Sequence, residues 1–221
     1  MIKEKVIIFG IGQISEVLYC LLKKDPRYEP VAFCADEKYL TQTKIKFELP
    51  TIPFEEIDAK YSQEEFHFTA PVSYKNLNKD RSEVFLKIKE KGYSLINYIS
   101  EDTTFNGKLN GENIIILEKN NIQPFVEINN NCFIWSFNHL GHHSVIKENV
   151  FISSGVIVSG NVTVEENCFL GVNSSIKDNL NVGKNCLITA GSVVSNNLKD
   201  NSVVSNKSTK LLNIDSSKIR F

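Results

Sequence analysis

Residues 149–188 read NVFISSGVIVSGNVTVEENCFLGVNSSIKDNLNVGKNCLI, with a branched aliphatic residue at every sixth position. The same spacing extends in both directions and comprises Ile116, Ile122, Ile128, Ile134, Leu140, Ile146, Ile152, Val158, Val164, Leu170, Ile176, Val182, Ile188 and Val194. Neither the 3.6-residue period of an α-helix nor the two-residue alternation of a strand requires this spacing. A coil of short strands, in which each side sends one residue inward, does require it. The spacing therefore predicts a parallel β-helix.

Asparagine adds a second period, because it recurs every eighteen residues at Asn113, Asn131, Asn149, Asn167 and Asn185. Asparagine tolerates the left-handed backbone conformation better than most residues, so one such turn per coil is expected at the same corner. Eighteen is three sixes, which makes each coil three-sided. The next residues, Cys132, Val150, Cys168 and Cys186, are small enough to fill the inside of that corner.

The composition is that of a folded chain, with 221 residues, 42% hydrophobic and 23% charged. A formal net charge of −1 gives no electrostatic reason to expect nucleic acid or an anionic membrane as a partner. The apolar run at residues 6–9 is too short for a signal-peptide core, and a cytoplasmic location is expected. Five cysteines without a CxxC pair indicate reduced thiols rather than a disulfide framework or a zinc site.

The first hundred residues alternate between strand and helix patterns. The segments KVIIFG, PVAFCAD, EFHFTAP and SLINYI are typical of buried strands, and Ile14, Val17, Leu18, Leu21 and Leu22 form one apolar stripe at helical spacing. A second helix is predicted over residues 77–91, with Leu77, Val84, Phe85 and Ile88 facing inward. Alternating strands and helices predict a small parallel α/β sheet, and the polar residues 100–107 a linker.

The turn after the first strand, from Gly10 to Ser15, is close to the dinucleotide-binding fingerprint, with Ser15 in place of the third glycine. Gly10 and Gly12 would let the backbone approach a phosphate, and Asp36, after the second strand, could bind a ribose hydroxyl. The alternative is a turn that needs glycine for its conformation alone.

Together these features resemble the bacterial sugar acetyltransferases in which a truncated Rossmann-like domain precedes a left-handed, hexapeptide-repeat parallel β-helix. This group includes sialic-acid O-acetyltransferases and UDP-4-amino-sugar N-acetyltransferases. The resemblance implies a nucleotide-sugar-binding domain at residues 1–104 and an acyltransferase domain with a C-terminal tail at residues 105–221. It also implies a homotrimer with active sites between neighbouring subunits.

The stretch NHLGHHSVI, residues 138–146, contains three of the four histidines. The resemblance implies that His142 is the general base for direct transfer from acetyl-CoA, and that the backbone amide of Gly160 is the oxyanion donor. An imidazole suits this task because its ordinary pKa lies near cellular pH. The resemblance further assigns acetyl-CoA contacts to Phe151, Val172, Ala190 and Lys210, and places Gln13, Ser73 and His139 in the substrate pocket with Gly10, Gly12 and Asp36.

His143 stands where relatives often have an acidic residue that orients the base. A backbone carbonyl, Asn138 or a residue of another subunit could then orient His142. A metal site is disfavoured, because His139 and His142 would share a face only on a helix and no nearby Cys, Asp or Glu completes a ligand set.

The leading hypothesis is a cytoplasmic N-acetyltransferase that acts on a nucleotide-linked amino sugar for bacterial surface glycan synthesis. O-acetylation of a sugar such as sialic acid is the close alternative, since a hydroxyl and an amine both need only a nearby base. A non-catalytic, nucleotide-binding trimeric module is the alternative from another class.

Overall fold

The computed structural model describes residues 3–40 and 45–206. The elements of its first part are β1 (Glu4–Phe9), α1 (Gln13–Lys24), β2 (Tyr28–Ala35), β3 (Ile45–Lys46), β4 (Leu49–Pro53), β5 (Phe66–Thr69) and α2 (Lys79–Glu90), with 3-10 helices at Glu37–Tyr39 and Phe54–Ala59. The sheet order is β3-β4-β2-β1-β5, and β1 pairs in parallel with both β2 and β5. The α/β sheet predicted from the sequence is confirmed.

The β3–β4 hairpin is the part of this sheet that the sequence did not reveal. Strand β4 pairs in parallel with β2 and antiparallel with β3. It contains Pro50 and Pro53, which cannot donate a backbone hydrogen bond and are typical of strand ends and edges. These prolines interrupt the alternation of apolar and polar residues by which a strand is recognised in a sequence.

The second helix begins later than its apolar pattern predicted. Asn76, Leu77 and Asn78 have φ angles of 51°, 52° and 66°, so the backbone is left-handed immediately before α2. Leu77 therefore precedes the helix. In the first helix, Val17 is 40% exposed, whereas Leu18 and Leu22 of the same predicted stripe are buried. No helix in the described part of the chain is long and apolar enough to cross a membrane.

The rest of the described chain is a left-handed parallel β-helix with three faces. The first face consists of Tyr98–Ile99, Ile115–Ile116, Phe133–Ile134, Phe151–Ile152, Phe169–Leu170, Leu187–Ile188 and Val203–Val204. The second face consists of Thr104–Phe105, Asn121–Ile122, His139–Leu140, Ile157–Val158, Ser175–Ile176 and Val193–Val194. The third face consists of Lys108–Asn110, Glu127–Asn129, Val145–Ile146, Thr163–Val164 and Asn181–Val182.

The β-helix begins within the segment predicted to close the α/β sheet. Leu95 makes an isolated bridge to Phe68 of β5, but Tyr98 and Ile99 pair with Ile115 and Ile116 of the first face. Residues 100–107 are not a linker, because Thr104–Phe105 is already a strand of the second face. The sequence SLINYI thus divides between the two parts of the molecule.

The inward residues of the three faces form one continuous core. All fourteen aliphatic residues of the six-residue series are at most 2% exposed, as predicted. Burial of such a side chain typically contributes about 1.5–3 kcal/mol relative to leaving it in water. The burial of these side chains in the core therefore explains why an aliphatic residue recurs at every sixth position.

The asparagine series forms the corner between the third and first faces, here called the asparagine corner. Asn113, Asn131, Asn149, Asn167 and Asn185 have φ angles between 55° and 61°, as expected for left-handed turns. The amide of Asn113 donates to Asn131 Oδ1 at 2.7 Å, and that of Asn131 donates to Asn149 Oδ1 at 2.7 Å. A ladder of side-chain hydrogen bonds therefore links successive coils.

The cysteines after these asparagines are apolar filler. Cys132, Cys168 and Cys186 are at most 1% exposed. Burial raises the pKa of Cys132 and of Cys168 to about 12. A thiol with so high a pKa is not a nucleophile near neutral pH, which agrees with the structural role expected from the sequence.

Helix α2 docks on the asparagine corner through two polar side chains. Asn78 donates to the backbone oxygen atoms of Asn167 and Cys168 at 3.1 and 3.0 Å. Arg81, which is 1% exposed, donates to the backbone oxygen atoms of Asn131 and Asn149 at 3.2 and 2.7 Å. Carbonyl oxygens thus bind the guanidinium, and its complete burial lowers the pKa of Arg81 to about 10.

Asn131 has two roles at the asparagine corner, since its side chain forms hydrogen bonds and its backbone is left-handed. Two substitutions separate these roles. We expect Asn131→Gly to lower the free energy of unfolding by about 1–3 kcal/mol, because the buried side chains of Asn113 and Asn149 lose a hydrogen-bond partner. Asn131→Ala should cost about 1–2 kcal/mol more, because alanine resists the left-handed conformation. Urea unfolding monitored by circular dichroism measures both.

Asn181→Ala is the control, because Asn181 is an exposed residue of a third-face strand, and it should change the unfolding free energy by less than about 0.5 kcal/mol. Equal stability of Asn131→Gly and Asn131→Ala would contradict a role for the left-handed turn.

Candidate active site

The turns between the second and third faces form the histidine corner, which comprises residues 123–126, 141–144, 159–162 and 177–180. Phe125, His143, Asn161 and Asn179 have φ angles of 66°, 59°, 59° and 58°, so each turn contains one left-handed residue. Strands of successive coils pair eighteen residues apart, as His139 does with Ile157. Residues of adjacent turns therefore also lie one above another in this register.

The imidazole of His142 lies directly on Gly160, one coil further along. A methyl group at Gly160 would be 2.7 Å from Cε1, 2.8 Å from Nε2 and 3.2 Å from Nδ1 of His142. Such contacts are too short for any side chain, so only glycine permits this position of the ring. The two residues that the family resemblance implies as base and oxyanion donor are therefore in contact, and their catalytic roles stay a prediction.

The backbone around Gly160 leaves one donor free. Ser159 N–H donates to Ile176 O at 3.1 Å, and Asn161 N–H donates to His142 O at 2.8 Å. Between them, the N–H of Gly160 has no acceptor among the hydrogen bonds of residues 3–40 and 45–206. An unpaired backbone N–H beside a base can bind the negative charge that develops on a carbonyl oxygen.

Two residues of the preceding turn contact the two exposed histidines, which also contact each other. Gln123 Oε1 accepts a hydrogen bond from the backbone N–H of His142 at 2.9 Å. The ring of Phe125 stacks on that of His143, with the centroids 4.6 Å apart. The Nδ1 atoms of His142 and His143 are 3.1 Å apart. The sequence analysis missed Gln123 and Phe125, although the eighteen-residue register would have placed Phe125 against His143.

Asn138 does not orient His142, contrary to one of the alternatives considered from the sequence. It is 2% exposed, its Nδ2 donates to Trp135 O at 2.6 Å, and its Oδ1 accepts from Val156 N–H at 2.7 Å. His139 lies on the outer side of the second face, half-buried, with its Nδ1 3.4 Å from Nδ2 of Asn121. His139 is thus beside the histidine corner but outside the turn that contains His142.

The residues predicted to bind acetyl-CoA lie in different places. Phe151 is 1% exposed and stacks between Phe133 and Phe169 on the first face, so it leaves no surface for a thioester. Val172 and Ala190 are exposed in turns between the first and second faces. One chain therefore places them at a different corner from His142. Lys210 lies outside the described residues.

The carboxyl ends of β1, β2 and β5 form the second candidate region. Strand β1 lies between β2 and β5, so the connection after β1 and the connection after β4 run to opposite sides of β1. Open α/β sheets bind ligands in the crevice that forms at such a reversal of strand order. Gly10 and Gly12 follow β1, and Ser73 is in the loop after β5. Gly10 has a φ of 114°, and a methyl group there would be 2.6 Å from the hydroxyl of Ser15. Ser15 thus packs against the glycine turn.

Two other predicted residues of this edge have distinct environments. Gln13 is the exposed first residue of α1. Asp36 forms an ion pair with Lys87 of α2, whose ammonium also lies 4.5 Å from the ring centre of Phe9. The carboxylate of Asp36 is therefore already engaged, and a ribose hydroxyl would have to share it. In the described ranges, no three His, Cys, Asp or Glu side chains are grouped closely enough to hold a metal ion.

The repeats of the β-helix match known families. Residues 125–160 match the family described as bacterial transferase hexapeptide (six repeats). Residues 161–196 and 180–206 match the hexapeptide repeat of succinyl-transferase. Residues 125–206 of the chain thus match hexapeptide repeats of transferases. No curated protein sequence matches it.

Solved structures share the fold of this chain over nearly its whole length. The acetyltransferase domain of PglB from Neisseria gonorrhoeae is 22% identical, with a TM-score of 0.82, and the match covers 95% of this chain and 100% of that one. PerB from Caulobacter crescentus, in complex with CoA and GDP-perosamine, is 18% identical, with a TM-score of 0.80 and coverage of 92% and 97%. WeeI from Acinetobacter baumannii is 17% identical, with a TM-score of 0.62 and coverage of 90% and 94%.

The contact between His142 and Gly160 predicts the effect of a single methyl group. We expect Gly160→Ala to fold normally but to displace the imidazole of His142, because the methyl group would occupy the place of the ring. The side-chain resonances of His142 should shift in NMR spectra, whereas those of His67, in β5, should not.

Gly12→Ala is the matched control, since a methyl group at Gly12 would have no neighbour within 4 Å. It should leave the His142 resonances unchanged. Unchanged His142 resonances in Gly160→Ala would show that the ring does not rest on this residue.

Proposed function

We propose that the chain is an acetyl-CoA-dependent N-acetyltransferase that acts on a nucleotide-linked amino sugar in bacterial surface glycan synthesis. The observation that carries this proposal is the imidazole of His142 lying on Gly160, whose N–H is unpaired within the described part of the chain. The transferase repeats and the fold shared with PglB and PerB support it. The structure of PerB contains CoA and GDP-perosamine, and a second PglB structure contains acetyl coenzyme A.

The chemistry follows from a base beside an oxyanion donor. The neutral amine of the sugar attacks the thioester carbon of acetyl-CoA, and a C–N bond forms. The carbonyl oxygen becomes negative and accepts a hydrogen bond from the N–H of Gly160. His142 Nε2 takes a proton from the attacking nitrogen. The C–S bond then breaks, the CoA sulfur receives that proton, and the products are the N-acetyl sugar and CoA. No residue forms a covalent bond to the acetyl group.

The nucleotide of the substrate would bind at the carboxyl edge of the α/β sheet. Gly10 and Gly12 allow close approach of phosphate oxygens at the N-terminus of α1. The loop after β5 reaches from this edge to the β-helix, where the ring of Tyr74 lies 5.0 Å from that of Phe151 and 4.6 Å from that of Phe169. This loop links the proposed nucleotide site to the outside of the first face.

We further propose that the active protein is a homotrimer with sites between subunits. On a single chain, His142 lies at the histidine corner. Val172 and Ala190, the proposed pantetheine contacts, lie at the corner between the first and second faces, on the opposite side of the second face. Between these corners the second face exposes 42% of Ile157 and 69% of Val193, and Phe137 at the adjoining turn is 66% exposed. Contact with a neighbouring copy would cover these apolar side chains. It would also bring the histidine corner of one copy close to Val172 and Ala190 of the other.

A panel of acceptors tests the function. Purified protein, acetyl-CoA and a series of uridine, thymidine, guanosine and cytidine diphosphate 3-amino and 4-amino sugars should release CoA with at least one acceptor. Free sialic acid tests O-acetylation. Turnover with sialic acid alone would replace the proposal by O-acetyl transfer, and NAD binding without CoA binding would favour a non-catalytic module.

Removal of the base should slow turnover without loss of acetyl-CoA binding. We expect His142→Asn to lower kcat about 10²–10⁴-fold, the usual contribution of a general base. The affinity for acetyl-CoA, measured by calorimetry, should change little. His67→Asn is the matched control, because His67 bonds to Ser94 in the α/β sheet. Full activity of His142→Asn would remove the base from the mechanism.

A charge on the second face should prevent assembly. We expect Ile157→Glu to shift the protein from trimer to monomer in sedimentation experiments and to reduce acetyl transfer, because a buried, unpaired carboxylate opposes the contact. Asn181→Glu places the same charge on the third face and should remain trimeric and active. A monomeric wild-type protein with full activity would contradict the proposed shared site.

A further inference from the structure

The adjacent histidines of the histidine corner form a direct contact between ring nitrogens. Nδ1 of His142 and Nδ1 of His143 are 3.1 Å apart, and the two rings are nearly perpendicular, at 85°. A hydrogen bond between these atoms requires that one nitrogen carries the hydrogen and the other does not. The pair therefore couples the tautomer of one ring to that of the other.

We propose that His143 is a positioning residue that holds His142 in its Nδ1–H tautomer and thereby leaves Nε2 as the proton acceptor. This inference rests on the proposed acetyl transfer. In this arrangement His142 Nδ1–H donates to His143 Nδ1, and His143 carries its own hydrogen on Nε2. The acceptor edge of His142 then lies over Gly160, where a methyl group would be 2.8 Å from Nε2.

His143 is itself fixed by its surroundings. Its ring stacks on Phe125 at an interplanar angle of 30°, and its backbone N–H donates to Pro124 O at 3.4 Å. Its left-handed backbone, with a φ of 59°, directs the side chain within the turn. A ring held from one face and from its backbone can hold its neighbour in turn, as an outer partner commonly does for a functional histidine.

No carboxylate competes for this role in the described part of the chain. The recorded hydrogen bonds of the two histidines lead to each other, to Gln123, to Pro124 and to the backbone of Asn161. When Nε2 of His142 takes the proton of the amine, the resulting imidazolium still donates through Nδ1 to a neutral ring. The new positive charge is thus stabilised by a hydrogen bond without being neutralised by an anion.

The corner itself suggests the variants that test this proposal. Asn161 and Asn179 occupy the equivalent left-handed position in the next two coils, so asparagine and glycine both fit at position 143. His143→Asn keeps an acceptor, Oδ1, for the Nδ1–H of His142. His143→Gly removes it. Asn179→Gly, one coil further from the histidines, is the matched control for the added backbone freedom of glycine.

In turnover assays, His143→Gly should lose about 10- to 100-fold in kcat with little change in KM for either substrate, as outer partners of a functional histidine commonly do. His143→Asn and Asn179→Gly should retain most of the activity, and free imidazole should restore part of the activity of His143→Gly. Full activity of His143→Gly, or equal losses in His143→Asn and His143→Gly, would overturn the proposal.

The tautomer can be read without any substrate from the ¹⁵N shifts of the imidazole nitrogens. His142 should be Nδ1–H in the wild type and in His143→Asn, and should shift toward Nε2–H in His143→Gly. A wild-type His142 in the Nε2–H form would overturn the inference whatever the activity. Absence of acetyl transfer to every acceptor would instead overturn the proposed function and leave the tautomer result standing.

Discussion

The eighteen-residue register of the coils is the constraint on which the rest of the molecule depends. One aliphatic residue per side fills the interior, and one left-handed residue per corner turns the chain, so no coil can slip without exposing its core residues. Residues eighteen apart consequently lie on one another. This register places His142 on Gly160 and Phe125 on His143. The candidate site is therefore formed by the stacking of successive coils, and no single segment of the chain contains it.

The α/β part is attached to the β-helix at the asparagine corner, away from the histidines. Asn78, immediately before α2, and Arg81 of α2 donate hydrogen bonds to backbone carbonyls there, and the aromatic rings of the first face pack against the α/β part. Burying an arginine without a carboxylate is costly, and the low pKa of Arg81 reflects that cost. This attachment fixes where the carboxyl edge of the sheet lies. It leaves the histidine corner open for a neighbouring molecule, in keeping with the trimer we propose.

The differences between the sequence predictions and the structure have identifiable physical causes. Strand β4 was missed because its prolines hide the alternation of a strand, and α2 began late because Asn76 to Asn78 adopt left-handed conformations. Phe151 was expected at the thioester, yet it belongs to a first-face strand that the α/β part covers. Asp36 was expected to be free for a ribose, yet Lys87, which is distant in sequence, pairs with it. The first two causes are local, whereas the last two are contacts between segments far apart in the chain.

The sequence by itself determined the β-helix, its three sides, and its buried aliphatic and cysteine residues. These follow from a period that is written in the order of residues, because each coil repeats the same local turn and packs only against its neighbours. The tertiary structure alone decided which surface of the β-helix α2 covers, that Asn138 is a buried corner residue, and that the rings of His142 and His143 meet at their Nδ1 atoms. Side-chain direction in a turn depends on the coils above and below it, and a period fixes the position of a residue but not the rotamer that its neighbours allow.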